Sequence, residues 1–331
     1  MFVIAEIAQA HEGSLGIAHS YIDALAETGV DAVKFQVHIA EAESSNLEQF
    51  RVNFSYEDVT RFDYWKRMEF TEEQWAGLQN HCEDKGLEFM ASPFSNAAVA
   101  LLERIGIKRY KIGSGELNNY LMLQKIAETG KPIILSSGMS DWAELDATIA
   151  FLKPFGNALS LMQCTTAYPT LPEQWGLNVM AEMRNRYHLP VGFSDHSATI
   201  YAGLAAATLG SEMLEFHVVF DKSMFGPDAK ASLTISETKT MTNGIRMIEK
   251  ALQSRDEKSD IAKFDALKTM FGKSLSINKN LKSGHVLTLD DLESKKPGDA
   301  GLPAKDFKSV IGKSLKVDLP QWSFLKADML Q

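Results

Sequence analysis

The sequence predicts a TIM-type (β/α)8 barrel followed by a small β-rich module. Three observations predict it. Eight short, apolar, β-rich runs alternate with amphipathic helical patterns through residues 1–255. Polar residues collect at the C-terminal end of each run, where a barrel presents its reactive groups. From about residue 271 the pattern changes to β-like stretches punctuated by Gly and Pro.

The predicted strands are 2–8, 31–37, 88–92, 110–114, 132–137, 159–164, 190–194 and 213–218. Helical patterns follow at 15–28, 71–85, 96–105, 119–129, 141–152, 173–187, 199–209 and 236–253. Gly29 and Gly86 stop the first two, and Thr71 with Glu72 and Glu73 opens the second. A doubly wound sheet is the competing architecture, but the glycine-rich first turn it often carries is absent. Residues 41–70 form a long charged and aromatic excursion, the kind that serves as a lid or binding loop. Its RFDYWKRMEF stretch reads as an amphipathic helix face.

The barrel is assigned to 1–255, a polar linker to 256–270 and the module to 271–331. In the module GKSLSI at Gly272 is echoed by GKSLKV at Gly312, which suggests two related strands in a pseudo-symmetric fold. Neither is a P-loop, because no glycine stands five residues earlier. A module this small has a thin core.

Net charge is −9 with pI near 5.5, which gives no nucleic-acid footprint. Only Cys82 and Cys164 are present, without a CxxC, so a disulfide framework is not expected and a reducing compartment fits. The N-terminus has no basic start and carries Glu6, unlike a signal peptide. No apolar run approaches membrane-spanning length, and the expected place is the cytoplasm.

His196 and His217 end neighbouring strands, in PVGFSDHS and EFHVVFD. A lone histidine there is more often structural; two together point to one divalent metal. Asp195, Glu215 and Asp228 make the surroundings acidic. Lys34 and Lys111 interrupt apolar strands, so each ammonium must emerge at the barrel mouth or be paired. With Ser92, Ser114, Ser136, Ser137, Thr165, Thr166 and Ser194 they describe a site for a small dianion such as a phosphate. Glu6 and Glu116 are candidates for moving protons or orienting water. Gln36 and Tyr168 complete the polar rim. Phosphate, metal and carboxylates together suggest an aldol-like carbon–carbon bond formation. Cys82 and Cys164 read as packing residues, and His11 is open between a supporting role and a plain loop position.

The segments IAEIAQAHEGSLGIA, DAVKFQ, ASPF, KIGSGELNN, GKPIILSSGMS, CTTAYPT, PVGFSDHS, EFHVVFDKSMFGPDAKASL and KKPG resemble the sialic acid (N-acetylneuraminate) synthase family along nearly the whole chain. The resemblance implies a TIM barrel with a C-terminal antifreeze-like (SAF) domain. It implies a domain-swapped homodimer in which one chain's small domain caps the other's site. The implied reaction joins phosphoenolpyruvate to an N-acylated amino-sugar aldehyde, typically N-acetylmannosamine, to give a nine-carbon 2-keto-3-deoxy acid and phosphate, with Mn²⁺ or Mg²⁺. By resemblance His196 and His217 hold the metal. Lys34, Lys111, Ser114, Ser136 and Ser194 hold phosphoenolpyruvate, with Ser92 and Thr166 near it. Glu6, Gln36, Tyr168 and Asp228 face the sugar, and Glu116 orients a water or moves a proton.

The sequence also departs from that family. The usual Asn-His-Asn-Gly is Ala10-His11-Glu12-Gly13, the phosphate-side Asn is Thr166, and Ala229 replaces a His after Asp228. Lys296 stands where an Arg would reach the N-acyl group, and a lysine lacks the planar fork of donors. The phosphoenolpyruvate and metal side is thus kept and the sugar side altered. The expected acceptor is a relative of N-acetylmannosamine, such as a diacetamido-dideoxy sugar leading to a legionaminic-type acid. A non-catalytic sugar- or anion-binding barrel is the alternative from another class; the retained histidines, lysines and Glu116 argue against it. Synthases of shorter keto-deoxy acids share the chemistry but lack the SAF module.

Overall fold

The computed structural model describes residues 1–50, 52, 54–254, 257–259 and 261–331. It divides into two compact units, Met1–Gln253 and Ser254–Gln331.

The first unit is the closed parallel barrel. Its strands are β1 (Phe2–Ala8), β2 (Ala32–Val37), β3 (Glu88–Pro93), β4 (Tyr110–Ile112), β5 (Ile133–Ser136), β6 (Leu159–Cys164), β7 (Val191–Asp195) and β8 (Met213–Val219). Neighbours pair in sequence order, and β8 closes on β1 with Phe2 opposite Met213 and Glu6 opposite His217. A two-residue β9 (Leu233–Thr234) pairs beside the end of β8.

Helices run between the strands: α1 (Leu15–Ala26), α2 (Ala40–Glu43), α3 (Arg61–Met68), α4 (Glu72–Asp84), α5 (Asn96–Ile105), α6 (Tyr120–Ala127), α7 (Trp142–Leu152), α8 (Leu177–Tyr187), α9 (Ile200–Thr208) and α10 (Ile235–Gln253). Their starts follow the capping residues in the sequence. Ser14, Ser95 and Asp141 each accept from a first-turn N–H, while Thr60 and Thr71 form capping boxes with Asp63 and Gln74. The RFDYWKRM stretch is indeed a helix, with Tyr64, Trp65 and Met68 on its buried face.

Two of the expected boundaries that move shape the rim of the barrel. β4 stops at Ile112, and Ser114–Glu116 is a 3-10 turn that carries its side chains around the rim. The helix expected from residue 173 begins at Leu177, because Gly176 takes φ +66 and breaks it from the 3-10 turn Pro172–Gln174.

Alternation along the strands sets the interior. Ile4, Ala32, Met90, Ile134, Met162 and Met213 form an apolar plug. Two residues further along the same strands stand Glu6, Lys34, Ser92, Ser136, Cys164 and Glu215. The plug closes one end, and the polar layer above it becomes the floor of a cavity.

The second unit pairs β10 (Ser274–Ile277) with β11 (Leu292–Lys295) in an antiparallel ladder. Leu275, Ile277, Leu287, Val310, Leu315 and Leu325 lie in its core. Both copies of the echo place a leucine there, Leu275 and Leu315. The second copy makes only isolated bridges, from Ser314 to Val286 and Leu315 to Leu330, and it runs into Pro320, which cannot donate to a ladder. The stretch expected as a linker contains a further helix, α11 (Asp265–Phe271). Residues 255, 256 and 260, at the expected boundary and within that linker, lie outside the described residues.

Candidate active site

A cavity of about 310 Å³ opens at the C-terminal ends of the strands. Glu6, Lys34, Gln36, Ser92, Lys111, Ser114, Ser136, Thr166, Tyr168, Ser194, His196, His217 and Asp228 all line it. Four expected residues do not: Ser137, Thr165, Glu116 and Lys296. Glu116 sits in the 3-10 turn after β4, where Asn119 Nδ2 donates to its Oε2 at 2.8 Å. Burial raises its pKa, and the Asn119 bond only partly opposes this. Lys296 belongs to the second unit, with its ammonium 4.9 Å over the Phe271 ring.

The floor is a buried network of charge. Lys34 Nζ contacts Glu6 Oε2 at 2.5 Å and donates to Ser92 Oγ at 3.2 Å. Lys111 Nζ donates to Glu215 Oε1 at 2.9 Å and to Ser136 Oγ at 3.2 Å. Ser194 Oγ donates to Glu215 Oε1 at 3.1 Å, and Gln36 Nε2 to Glu6 Oε1 at 3.0 Å.

The two carboxyls are driven apart. Burial raises Glu6, and Lys34 does not fully offset it. Burial also acts on Glu215, but Lys111 and Lys34 overcome it and hold Glu215 at about 2. Glu6 is therefore the carboxyl that keeps a proton more readily, and Glu215 the fixed anion. Lys34 and Lys111 bring two ammonium groups to this floor, and the less Glu6 is ionised the more of their charge is left for an anionic ligand.

Beside this floor lies a small cradle. Gly138 N donates to Ser114 Oγ at 3.1 Å. A Cβ on Gly138 would meet Thr166 Oγ1 at 2.5 Å and Ser114 Oγ at 2.6 Å, so only glycine lets these hydroxyls converge.

The two histidines meet as the spacing predicts. His196 follows β7 and His217 lies in β8, with ring centroids 5.2 Å apart and the Tyr168 ring 4.2 Å and 6.0 Å from them. His196 Nδ1 lies 3.0 Å from Thr165 O, which assigns a proton to Nδ1 and makes Nε2 the ring nitrogen that would bind a cation on giving up its own proton. Burial lowers His217 to about 4, although Asp228, whose Oδ2 is 4.0 Å away, opposes this. Burial would also lower His196, but the Cys164 sulfur, 3.9 Å from Nδ1, and the Thr165 carbonyl hold it near 9. Asp195 turns aside and accepts from Ser197 N and Oγ at 2.9 and 2.8 Å. Among the described residues no group of three or more His, Cys, Asp or Glu side chains is arranged around a metal. The donor set is two imidazoles.

Several lining residues were not among the candidates. Glu215, expected only as part of the acidic surroundings, lines the floor two positions before His217 on the same strand face. Cys164, expected to be packing only, also lines the cavity. The outer wall is Phe50, Phe54, Arg61, Tyr64 and Trp65 from the 41–70 excursion. Gln9 joins it from the β1–α1 loop, where its amide bonds Gln36 Oε1 and lies 2.9 Å from His38 Nε2.

The NeuB family model matches residues 21–257, and the SAF domain model residues 273–331. The chain belongs to the NeuB family. Human N-acetylneuraminate-9-phosphate synthase is 32% identical over 323 residues, covering 97% of this chain and 90% of that protein. N,N'-diacetyllegionaminic acid synthase of Legionella pneumophila is 32% identical over 326 residues, covering 96% and 91%. Among solved structures, N-acetylneuraminic acid (sialic acid) synthetase of Leptospira borgpetersenii superposes with TM-score 0.70 at 26% identity, covering 81% of this chain and 90% of that one. The NeuB chain is thus an enzyme of a sugar-acid synthase family. None of its described helices is long and apolar enough to cross a membrane.

Proposed function

We propose that this protein joins phosphoenolpyruvate to an N-acylated amino-sugar aldehyde, giving a nine-carbon 2-keto-3-deoxy acid and inorganic phosphate. The observation that carries this reading is the pair of buried ammonium groups, Lys34 and Lys111, set beside two imidazoles at the mouth of a barrel.

In this reading Lys34, Lys111 and the hydroxyls of Ser114, Ser136, Thr166 and Ser194 bind the phosphate and carboxylate of phosphoenolpyruvate. His196 and His217 would hold a divalent cation, Mn²⁺ or Mg²⁺. Two nitrogen donors with other positions open suit a catalytic rather than a structural ion. Such an ion supplies Lewis-acid polarisation of the aldehyde. C3 of phosphoenolpyruvate forms the new bond to the aldehyde carbon, whose oxygen takes a proton. Water adds at C2, and the C–O bond to phosphate then breaks with its electrons leaving on phosphate. Glu6 is placed to give or take a proton beside the lysines, and the Glu215 carboxylate shelters positive charge developing at C2. Gln36, Tyr168 and Asp228 face the acceptor.

The acceptor is proposed to be a relative of N-acetylmannosamine with more apolar substituents, such as a diacetamido-dideoxy aldose. Support comes from the outer wall, where Phe50, Val52, Phe54 and Trp65 outnumber the single cation Arg61, which Glu48 already pairs at 2.9 Å. A homodimer with the small unit of one chain serving the other is also proposed. The exposed Phe264, Leu267, Met270 and Phe271 support it as a covered apolar strip. We place the reaction in the cytoplasm, in keeping with two free cysteines.

Phosphate release from phosphoenolpyruvate with Mn²⁺ across a sugar panel tests the reading. Release dependent on an N-acylated aldose supports it, and no release with any sugar favours a non-catalytic binder. Clear preference for N-acetylmannosamine refutes the altered-acceptor part.

A further inference from the structure

Tyr64 is 2% exposed, yet its hydroxyl has no hydrogen-bond partner among the described residues. Buried hydroxyls are nearly always bonded, and an unpaired one weakens the fold that contains it. Such an atom persists where a ligand uses it.

The position is built. Tyr64 sits on α3, whose start is fixed by the Thr60–Asp63 capping box. Phe54 meets its ring edge-on at 5.1 Å, Trp65 lies at 5.1 Å, and the Arg67 guanidinium stands 5.3 Å over its face. Arg67 is itself held by Asp58 at 2.7 Å and Glu12 at 3.0 Å, so the ring is clamped from both sides. The side chain lines the cavity together with Asp228. Burial first, then the negative charges of Glu12 and Asp228, push the phenol far above its ordinary pKa. At neutral pH it is a hydrogen-bond donor only awaiting an acceptor.

Its neighbours say what kind of acceptor. A carboxylate or phosphate is disfavoured beside Glu12 and Asp228. A neutral carbonyl oxygen is not, and the rings of Phe50, Phe54 and Trp65 offer an apolar enclosure next to it. An acetamido group has both parts.

We infer that Tyr64 is a specificity-determining residue: its hydroxyl donates a hydrogen bond to the acyl carbonyl oxygen of the acceptor aldose, and the adjoining aromatic rings enclose the acyl methyl. This rests on the synthase reading above and names a contact that reading does not contain.

Tyr64→Phe removes only the oxygen. Steady-state kinetics with phosphoenolpyruvate and Mn²⁺ compare N-acetylmannosamine with mannose, which lacks the acyl group, in wild type and Y64F. Thermal unfolding without ligands is measured in parallel. The expected result is an approximately tenfold rise in KM for N-acetylmannosamine, with KM for mannose and for phosphoenolpyruvate unchanged. The unliganded unfolding midpoint stays level or rises, since no bond is lost. A KM change shared equally by both sugars, or no change, overturns the assignment. A fall in the unliganded midpoint shows a structural hydroxyl and overturns it too. If wild type releases no phosphate with any N-acylated aldose, diacetamido-dideoxy sugars included, the synthase reading fails and takes this one with it. Release by wild type with unaltered discrimination in Y64F overturns this inference alone.

Discussion

Lys111 on β4 and Glu215 on β8 meet at 2.9 Å across the barrel interior, on strands that are not neighbours in the closed sheet. The contact fixes the height of one ammonium group, and Lys34 shares the same carboxyl at 3.6 Å. Removing one partner of a buried pair leaves the other charge uncompensated. Glu215→Gln should cost about 3 kcal/mol of unfolding free energy, read by denaturant melts. A loss under about 1 kcal/mol would show that Glu6 alone satisfies both lysines.

The hydroxyl cradle makes a second prediction. A Cβ on Gly138 would stand 2.5 Å from Thr166 Oγ1, 2.6 Å from Ser114 Oγ and 3.0 Å from Cys164 Sγ. Gly138→Ala must push these groups apart. The KM for phosphoenolpyruvate should rise by about tenfold or more while the KM for sugar changes little. An equal rise in both would place the cradle elsewhere in the reaction.

His11 supplies a pH prediction. It is buried against Phe70 at 4.8 Å, its Nδ1 accepts from Gly13 N at 3.1 Å, and burial lowers its pKa to about 3. The unfolded chain takes up a proton below about 6.5, and the folded chain does not. Stability from this group is therefore complete above pH 6.5 and is lost as pH falls from there toward 3, by about 1.4 kcal/mol per unit. In His11→Asn the acid-side slope between pH 6 and 4 should be shallower than in wild type. Parallel slopes would show that His11 is protonated in the fold.

The two imidazoles make a prediction independent of turnover. Mn²⁺ should raise the unfolding midpoint of wild type and not of the H196A/H217A double variant. Chelation should abolish phosphate release, and added Mn²⁺ should restore it in wild type alone. A Mn²⁺ shift retained by the double variant would move the ion to other ligands.

Much of this site was legible in the sequence because a strand has a period of two. Lys34, Lys111, Ser136 and His217 each follow an apolar residue, Val33, Tyr110, Leu135 and Phe216, of the main core on the other strand face, so alternation turns them into the barrel once the strands are recognised. Glu215 obeys the same rule, but its weight comes from Lys111 across the barrel, and no local pattern contains that distance. Tyr64 and Trp65 were legible only as one face of a short helix in a long excursion. Where that helix docks depends on Arg67 reaching Glu12, 55 positions earlier in the chain. The weight of Gly138 was not legible locally, since it lies in the convergence of side chains from the ends of β4 and β6.

The central claim is that the lysine-lined floor and the imidazole pair together condense phosphoenolpyruvate with an aldose. The most direct measurement uses phosphoenolpyruvate carrying heavy oxygen in the bridge between C2 and phosphorus, with Mn²⁺ and an N-acylated aldose. The account predicts one phosphate per keto-deoxy acid, with the heavy oxygen in the phosphate. Heavy oxygen retained in the acid, or no phosphate with any sugar, would contradict it.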